Sequence, residues 1–187
     1  MRQCCDNDPA ASGGPMSVPA SSANAAETDG LDLAEWPGAA RTSRTVTVTP
    51  QDIARFAVAI GATDDVHFDA AAARARGHAD VVAPDLYYVA LRTGVFHLVP
   101  QHELHDEGTP LRDIPPISFR QAMAGETTAE LYRPFVAGDV VTCTRHAESV
   151  VRKEGRSGTL TFVRFEYRYA DAADEPYVVE HFTRIFR

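Results

Sequence analysis

The sequence predicts an α+β domain in which an antiparallel sheet wraps around one helix. Helical and strand patterns occupy separate parts of the chain: one short strand and three helical segments precede residue 117, and period-two alternation follows it. Such segregation favours an α+β fold over alternating βα units. Gly, Asp and Pro also cluster at residues 137–139, 153–158 and 171–176, which is typical of turns between antiparallel strands.

The chain of 187 residues divides into a polar N-terminal stretch and one domain. Residues 1–30 are rich in Ala, Ser, Pro and Gly and nearly lack large apolar side chains. Such a stretch cannot bury enough surface to offset the entropy of ordering itself. We therefore expect a disordered tail over residues 1–30 and a single domain over residues 31–187, a length that suits one hydrophobic core.

The first helix is predicted to begin at Pro50 and to end before Gly61. Thr49 is a suitable N-cap, and proline is favoured at the first helical position. Gly61 is typical of a helix C-terminus. One apolar face recurs at helical spacing: Ile53, Phe56, Ala57 and Ile60.

Two further helices are expected before the strand region. Asp69 can cap a short helix over residues 70–76, which Gly77 ends. A third helix is expected to begin near Pro84 or Asp85. Its residues at helical spacing are Leu86, Val89, Ala90 and His97.

The second half of the chain predicts five strands, preceded by a short one at residues 44–48. The alternating segments are residues 117–122, 127–132, 140–151, 159–169 and 177–187. Within residues 159–169 the apolar phase shifts near Phe162 and Val163, which predicts a β-bulge or a bend there.

Composition excludes several classes of function. The formal net charge is −8 and no basic stripe is visible, so a nucleic-acid partner is not expected. No apolar run is long enough to span a membrane, and the first thirty residues lack a secretory signal. Cys4, Cys5 and Cys143 give neither a disulfide framework nor a zinc spacing, and we expect a cytoplasmic protein.

Cofactor and metal motifs are also missing from the sequence. No glycine-rich nucleotide fingerprint is found, so no cofactor is expected. His102 and His105, in the sequence HELH with His97 upstream, lack the spacing that places two histidines on one helix face. We do not expect a metal site.

The segment GATDDVHFD, residues 61–69, carries the most suggestive chemistry. Asp64 and Asp65 lie just before His67, and a carboxylate with an imidazole can share general acid and base duties. Aspartate is equally common in turns, where it binds the backbone. Both interpretations remain open from the residues alone.

Four stretches resemble the MaoC-like acyl-thioester hydratase/dehydratase family: residues 52–61, 64–84, 131–141 and 158–187. The strongest pieces are VHFD, VVAP and RPFVAGD. In detail the chain is similar to the subgroup that resembles the N-terminal FAS1-type dehydratase domain and includes partner subunits of mycobacterial hydroxyacyl dehydratases. The resemblance covers about residues 41–187. It implies a hot-dog fold and the interconversion of enoyl and 3-hydroxyacyl thioesters.

The family's active members carry Gly-Asp-x-Asn-Pro-aliphatic-His in the loop after the first helix. Laid on this chain, the glycine falls on Gly61 and the histidine on His67. The catalytic Asp position falls on Ala62, and the Asn and Pro positions fall on Asp64 and Asp65. His67, Asp64 and Asp65 are therefore the candidate catalytic residues, with the carboxylate displaced from its usual position.

The resemblance also implies a substrate-binding helix start. There a backbone N–H donates to the thioester carbonyl, whose oxygen gains negative charge during the reaction. The corresponding residues are Ala83 and Pro84, and proline has no N–H. Asp85 or Leu86 is expected to supply the donor, so Ala83, Asp85 and Leu86 are the candidate substrate-binding residues.

Three functional hypotheses remain. Asp64 or Asp65 replaces the missing carboxylate and acts with His67, or a second hot-dog subunit supplies the working Asp/His pair, or the chain is a non-catalytic acyl-CoA-binding subunit. In each case the expected partners are an acyl-CoA or acyl-carrier thioester and a second hot-dog module, in a homodimer or a heterodimer. An acidic chain would repel an acidic carrier protein, which favours CoA thioesters.

Overall fold

A computed structural model describes residues 36–93, 100–106, 108–156 and 158–187. Residues 1–35, including the predicted tail, and His97 lie outside the described residues. Five antiparallel strands form one sheet in the order β1-β3-β4-β5-β2. The strands are β1 Thr42–Thr47, β2 Ala122–Leu131, β3 Val140–Gly155, β4 Gly158–Ala170 and β5 Pro176–Phe186. The predicted α+β fold is confirmed.

The first helix, α1, runs over Pro50–Ile60 as predicted. Thr49 accepts a hydrogen bond from the Asp52 amide at 3.1 Å, and Gly61 ends the helix at φ 73°. This left-handed conformation is strained for residues with a side chain. Ile53 and Ala57 are buried. The expectation for Ile60 was wrong: it is exposed, because the chain turns away at the last helical residue.

The second helix, α2, covers Ala70–Ala75 and is capped by Asp69, close to the predicted bounds. The third, α3, covers Tyr87–Thr93, so it begins two to three residues later than predicted. Leu86 precedes it and is exposed, so it does not belong to the helix in which its spacing had placed it. Among the described residues no helix has the length and apolar character of a membrane span.

The sheet curves around α3, which lies against its inner face. Arg44 of β1 donates to the Leu91 carbonyl at 2.5 Å, and the rings of Tyr88 and Tyr169 lie 6.1 Å apart. Arg92 reaches β5. The inner face of β4 supplies much of the core, with these side chains buried: Val163, Phe165, Tyr167 and Tyr169.

The sheet corrects two details of the strand prediction. Residues 117–122 do not form a separate strand; a single β2 begins at Ala122 and continues through a register irregularity between Ala124 and Thr127. Gly125 lies there, and a Cβ added to it would meet the Thr183 carbonyl oxygen at 3.0 Å. The close approach of the two backbones explains why the alternation breaks at this point.

The bulge predicted in β4 lies instead in β3. Burial alternates along β4 through the predicted position, and the register with β5 shifts only at the end of the strand, between Tyr169 and Ala170. Phe162 faces outward with Lys153 Nζ 5.2 Å from its ring centroid. The register shifts in β3 between Ala147 and Ser149. An outward aromatic side chain covered by a lysine therefore produced the apparent phase shift in the sequence.

Candidate functional site

A cavity of about 510 Å³ lies beside the loop that carries His67. Its walls come from that loop, from the chain leading into α3 and from the chain after β2. The lining residues are Val66, His67, His78, Val82, Ala83, Pro84, Asp85, Leu131, Tyr132, Arg133, Pro134, Phe135 and Val178. A cavity of this size, apolar with a few polar groups, is typical of a small-molecule site.

Backbone hydrogen bonds join the two walls of the cavity. The Ala83 amide donates to the Phe135 carbonyl at 2.9 Å, and the Val82 amide donates to the Val66 carbonyl at 3.0 Å. Val82 also forms an isolated antiparallel bridge with Val136. Beneath them Val66, Ala73 and Val82 form a small buried cluster. The loop with His67 is thereby anchored to the segment that follows β2.

One ring nitrogen of His67 is fixed by the backbone. Nδ1 lies 2.6 Å from the Val82 carbonyl oxygen, and a carbonyl can only accept, so Nδ1 carries the proton. The neutral ring then has its lone pair on Nε2, the atom that can act as a base. His67, which lines the cavity, thus has a defined tautomer in its neutral form.

Asp64 is already engaged outside the cavity. Its carboxylate accepts from the Val66 amide at 3.1 Å and from Arg76 Nη1 at 2.7 Å. The hydrogen bond from Arg76 and that from the amide lower the pKa of Asp64 below its ordinary value. Asp64 thus caps the 3₁₀ turn Asp65–His67, which gives a structural reason for an aspartate at this position.

The two other positions of the loop also lie away from the cavity lining. Asp65 begins the 3₁₀ turn, and neither it nor Asp64 is among the lining residues. Ala62 follows the C-cap glycine, and its amide donates to the Ala57 carbonyl at 2.9 Å. The structure thus brings His67 into the cavity without either candidate aspartate.

The start of α3 forms another part of the wall. Ala83, Pro84 and Asp85 line the cavity, whereas Leu86 does not. The Tyr87 amide donates to the Pro84 carbonyl at 2.9 Å. No acceptor for the Asp85 amide is found within the described part of the chain.

Sequence reasoning missed two polar cavity residues. His78 belongs to no motif identified in the sequence, and it lines the same cavity as His67. Arg133 belongs to the motif RPFVAGD, and this motif could have identified Arg133 as a candidate site residue. Its guanidinium binds the Asp171 carboxylate at 2.6 Å and lies 3.7 Å above the Tyr177 ring centroid. Arg133 is therefore held in place by the turn between β4 and β5.

A group of potential metal ligands lies on the outer face of the sheet, opposite α3. Ligand atoms of Glu148, Glu166 and His181 all lie within 4.8 Å of one another. Glu148 accepts from Arg164 Nε at 2.9 Å and lies 2.9 Å from His181 Nδ1. The Arg164 guanidinium already neutralises the Glu148 carboxylate, and these contacts join β3, β4 and β5.

Comparison with curated proteins finds relatives that carry the name UPF0336 protein. One, from Clavibacter michiganensis, is 37% identical over 57% of this chain and 65% of its own length. Another, from Leifsonia xyli, is 31% identical over 75% of this chain and 85% of its own length. The chain thus spans slightly less than two thirds of the first relative and most of the second.

Solved structures share the fold at low sequence identity. The ChsH1-ChsH2 complex from Mycobacterium tuberculosis matches with a TM-score of 0.60 and 21% identity, covering 82% of this chain and 92% of that chain. The C-terminally truncated HadBC (3R-hydroxyacyl-ACP dehydratase) complex from the same organism matches with a TM-score of 0.58 and 17% identity. The match covers 78% of this chain and 92% of that chain. These likenesses show a hot-dog fold.

A family profile settles the relationship. The profile described as the FAS1-like dehydratase domain region matches residues 35–180, which include α1, the loop with His67 and all but the end of the sheet. The chain therefore belongs to the FAS1-like dehydratase domain family.

Proposed function

We propose that the chain is a subunit of an acyl-thioester hydratase/dehydratase and works with a second hot-dog chain that supplies the catalytic carboxylate. One observation carries the proposal: His67 lines the cavity with Nδ1 fixed on Val82, while Asp64 is held by Arg76 outside it. The histidine half of an acid–base pair is present and the aspartate half is missing.

Hydration of an enoyl thioester needs two proton transfers. A base removes a proton from the water that attacks the β carbon, and an acid delivers a proton to the α carbon. The unprotonated Nε2 of His67 suits the first role. The Asp85 amide suits the developing negative charge on the thioester oxygen.

The side chain of Asp85 is poorly placed to serve as the missing carboxylate. Of the described cavity residues, Asp85 carries the one carboxylate. It belongs to the residue whose amide would stabilise the thioester oxygen, and a negative charge there opposes the charge that develops. Asp85 therefore does not replace the carboxylate that is missing at Ala62.

The sheet offers a place for the second chain. β2 forms an edge of the sheet, and Leu131, its last residue, lines the cavity. A strand added to this edge would extend the sheet beside the cavity. Two similar solved structures are themselves complexes. A second copy of this chain would bring another Ala62, so a different hot-dog chain is the partner we propose.

The acyl group is carried on CoA in this proposal. The net charge of −8 disfavours association with an acidic carrier protein. The alternative is a subunit that binds acyl-CoA and takes no part in catalysis. The carboxylate of Asp85 beside the expected thioester oxygen favours that alternative.

The test compares the chain alone with the chain mixed with the product of a neighbouring gene that encodes a second hot-dog protein. Hydration of crotonyl-CoA and octenoyl-CoA is followed. We expect turnover only from the mixture. It should fall at least tenfold in His67→Ala and stay unchanged in His102→Ala, because His102 is exposed and is not among the cavity-lining residues. Turnover by the mixture that survives His67→Ala would support the non-catalytic subunit.

A further inference from the structure

We infer that the cavity accepts short acyl groups and excludes long ones, because Phe135, Tyr169 and the Arg92–Glu180 pair close its inner end. The inference rests on the proposed acyl-thioester function and adds the substrate class. Three features carry it: the direction in which the cavity deepens, the aromatic rings at its floor and the charges behind them.

Exposure shows which end of the cavity is the mouth. Leu131 and Tyr132 are 52% and 55% exposed, and Asp85 is exposed as well. At the other end Phe135 and Val178 are 2% and 1% exposed. A thioester that enters past Leu131 with its carbonyl near the Asp85 amide therefore points its acyl tail toward Phe135 and Val178.

Aromatic side chains fill the space behind this floor. The Phe135 ring stacks on Tyr177 at 4.9 Å between centroids. It also contacts Tyr87 at 5.8 Å and Tyr169 at 6.3 Å. Tyr169 lies opposite Val178 in the strand register and is fully buried. An acyl tail cannot extend between α3 and the sheet without displacing these packed rings.

The next side chain along the inner face of β5 is charged. Glu180 lies two residues beyond Val178, is fully buried, and binds Arg92 of α3 at 2.5 Å. The Tyr169 hydroxyl donates to the same carboxylate at 3.3 Å. An alkyl chain at this point would separate a buried ion pair and leave both charges without partners, which is strongly unfavourable. The ion pair is a second barrier behind the rings.

The cavity volume agrees with a short acyl group. About 510 Å³ is near the lower part of the range for small-molecule sites. The thioester and the adjoining part of its carrier occupy some of it. The space that remains suits a few methylene groups.

The test is binding of CoA, crotonyl-CoA, octenoyl-CoA and dodecenoyl-CoA to the purified full-length chain by calorimetry. In an open channel each further buried methylene would raise affinity about fourfold. We expect crotonyl-CoA to bind more tightly than CoA, and the two longer thioesters to bind no more tightly than crotonyl-CoA. A progressive gain from crotonyl- to dodecenoyl-CoA would overturn the inference and leave the proposed function standing.

Variants at the floor and at the mouth complete the test. Phe135→Ala is expected to raise octenoyl-CoA affinity at least tenfold relative to crotonyl-CoA, whereas Leu131→Ala should change both affinities equally. Phe135→Leu is a milder variant, and it should also raise octenoyl-CoA affinity relative to crotonyl-CoA, by a smaller factor. An unchanged ratio in a folded Phe135→Leu or Phe135→Ala protein contradicts the role of the ring. If no thioester binds more tightly than CoA itself, the proposed function fails and the inference fails with it.

Discussion

The ion pair between Arg92 and Glu180 is the most informative target for a stability measurement. Glu180 is fully buried, and the Arg92 side chain is 16% exposed. Besides the guanidinium, the carboxylate accepts from the Tyr169 hydroxyl. The pair joins α3 to β5, so removal of either partner leaves the other charge unpaired.

The two single variants are expected to differ. Arg92→Leu should lower the free energy of unfolding by about 3–5 kcal/mol, because it leaves a buried carboxylate without its cation. Glu180→Leu should cost less, about 2 kcal/mol, because Arg92 retains access to water and lies 4.1 Å above the Phe182 ring. The double variant should lie within about 1–2 kcal/mol of the wild type, since apolar residues often replace a buried pair at little cost.

Urea unfolding of all four proteins at about pH 7 and about pH 5 provides the assay. Burial raises the pKa of Glu180 above its ordinary 4.5, although Arg92 lowers it. Without Arg92 the pKa rises further, so the folded protein binds a proton that the unfolded chain releases. The deficit of Arg92→Leu should therefore shrink as the pH falls. Additive single-variant costs, or a deficit that is independent of pH, would refute this reasoning.

Three further predictions concern other parts of the fold. Gly61→Ala should lower the free energy of unfolding by about 1 kcal/mol, because Gly61 has φ 73° and open space around it. Gly61→Asn should cost less. Equal costs of the two variants in urea unfolding would count against the backbone explanation. Burial raises the pKa of the Cys143 thiol to about 11. In a variant with Cys4→Ser and Cys5→Ser, a disulfide reagent should therefore label the native protein slowly and the urea-unfolded protein fast. Rapid labelling of the native protein would contradict the burial of Cys143. Burial alone would raise the pKa of Glu148, but hydrogen bonds from His181 and Arg164 lower it below 4.5. The contribution of Glu148 to stability is thus present at neutral pH and is lost as the pH falls below about 4.5. Glu148→Gln should reduce stability at neutral pH and flatten this acid limb, and an unchanged limb would be inconsistent with the ion pair.

Local signals explain what the sequence predicted correctly. Thr49 and Gly61 mark the ends of α1 because a side-chain cap and a left-handed glycine act within a few residues. Asp69 marks α2 for the same reason. Helical spacing alone did not predict that α3 begins at Tyr87 and leaves Leu86 exposed before it.

The candidate site likewise depends on contacts between residues far apart in the sequence, which local patterns do not predict. His67 was identified by its motif, but its role depends on the Val82 carbonyl fifteen residues away. Asp64 looked like a catalytic partner until the contact with Arg76 placed it outside the cavity. His78 and Arg133 meet in one cavity because residues 81–83 lie beside residues 135–137, a pairing that no local pattern encodes. The catalytic roles of His67, Asp64 and Asp65 stay predictions.

Enoyl-CoA turnover by the purified chain alone tests the central claim most directly. The chain presents His67 to the cavity without a working carboxylate, so we expect it to bind crotonyl-CoA and to hydrate it no faster than buffer. Robust turnover by the chain alone that disappears in His67→Ala and in Asp64→Asn or Asp65→Asn would contradict the claim and assign the carboxylate role to this chain's own loop.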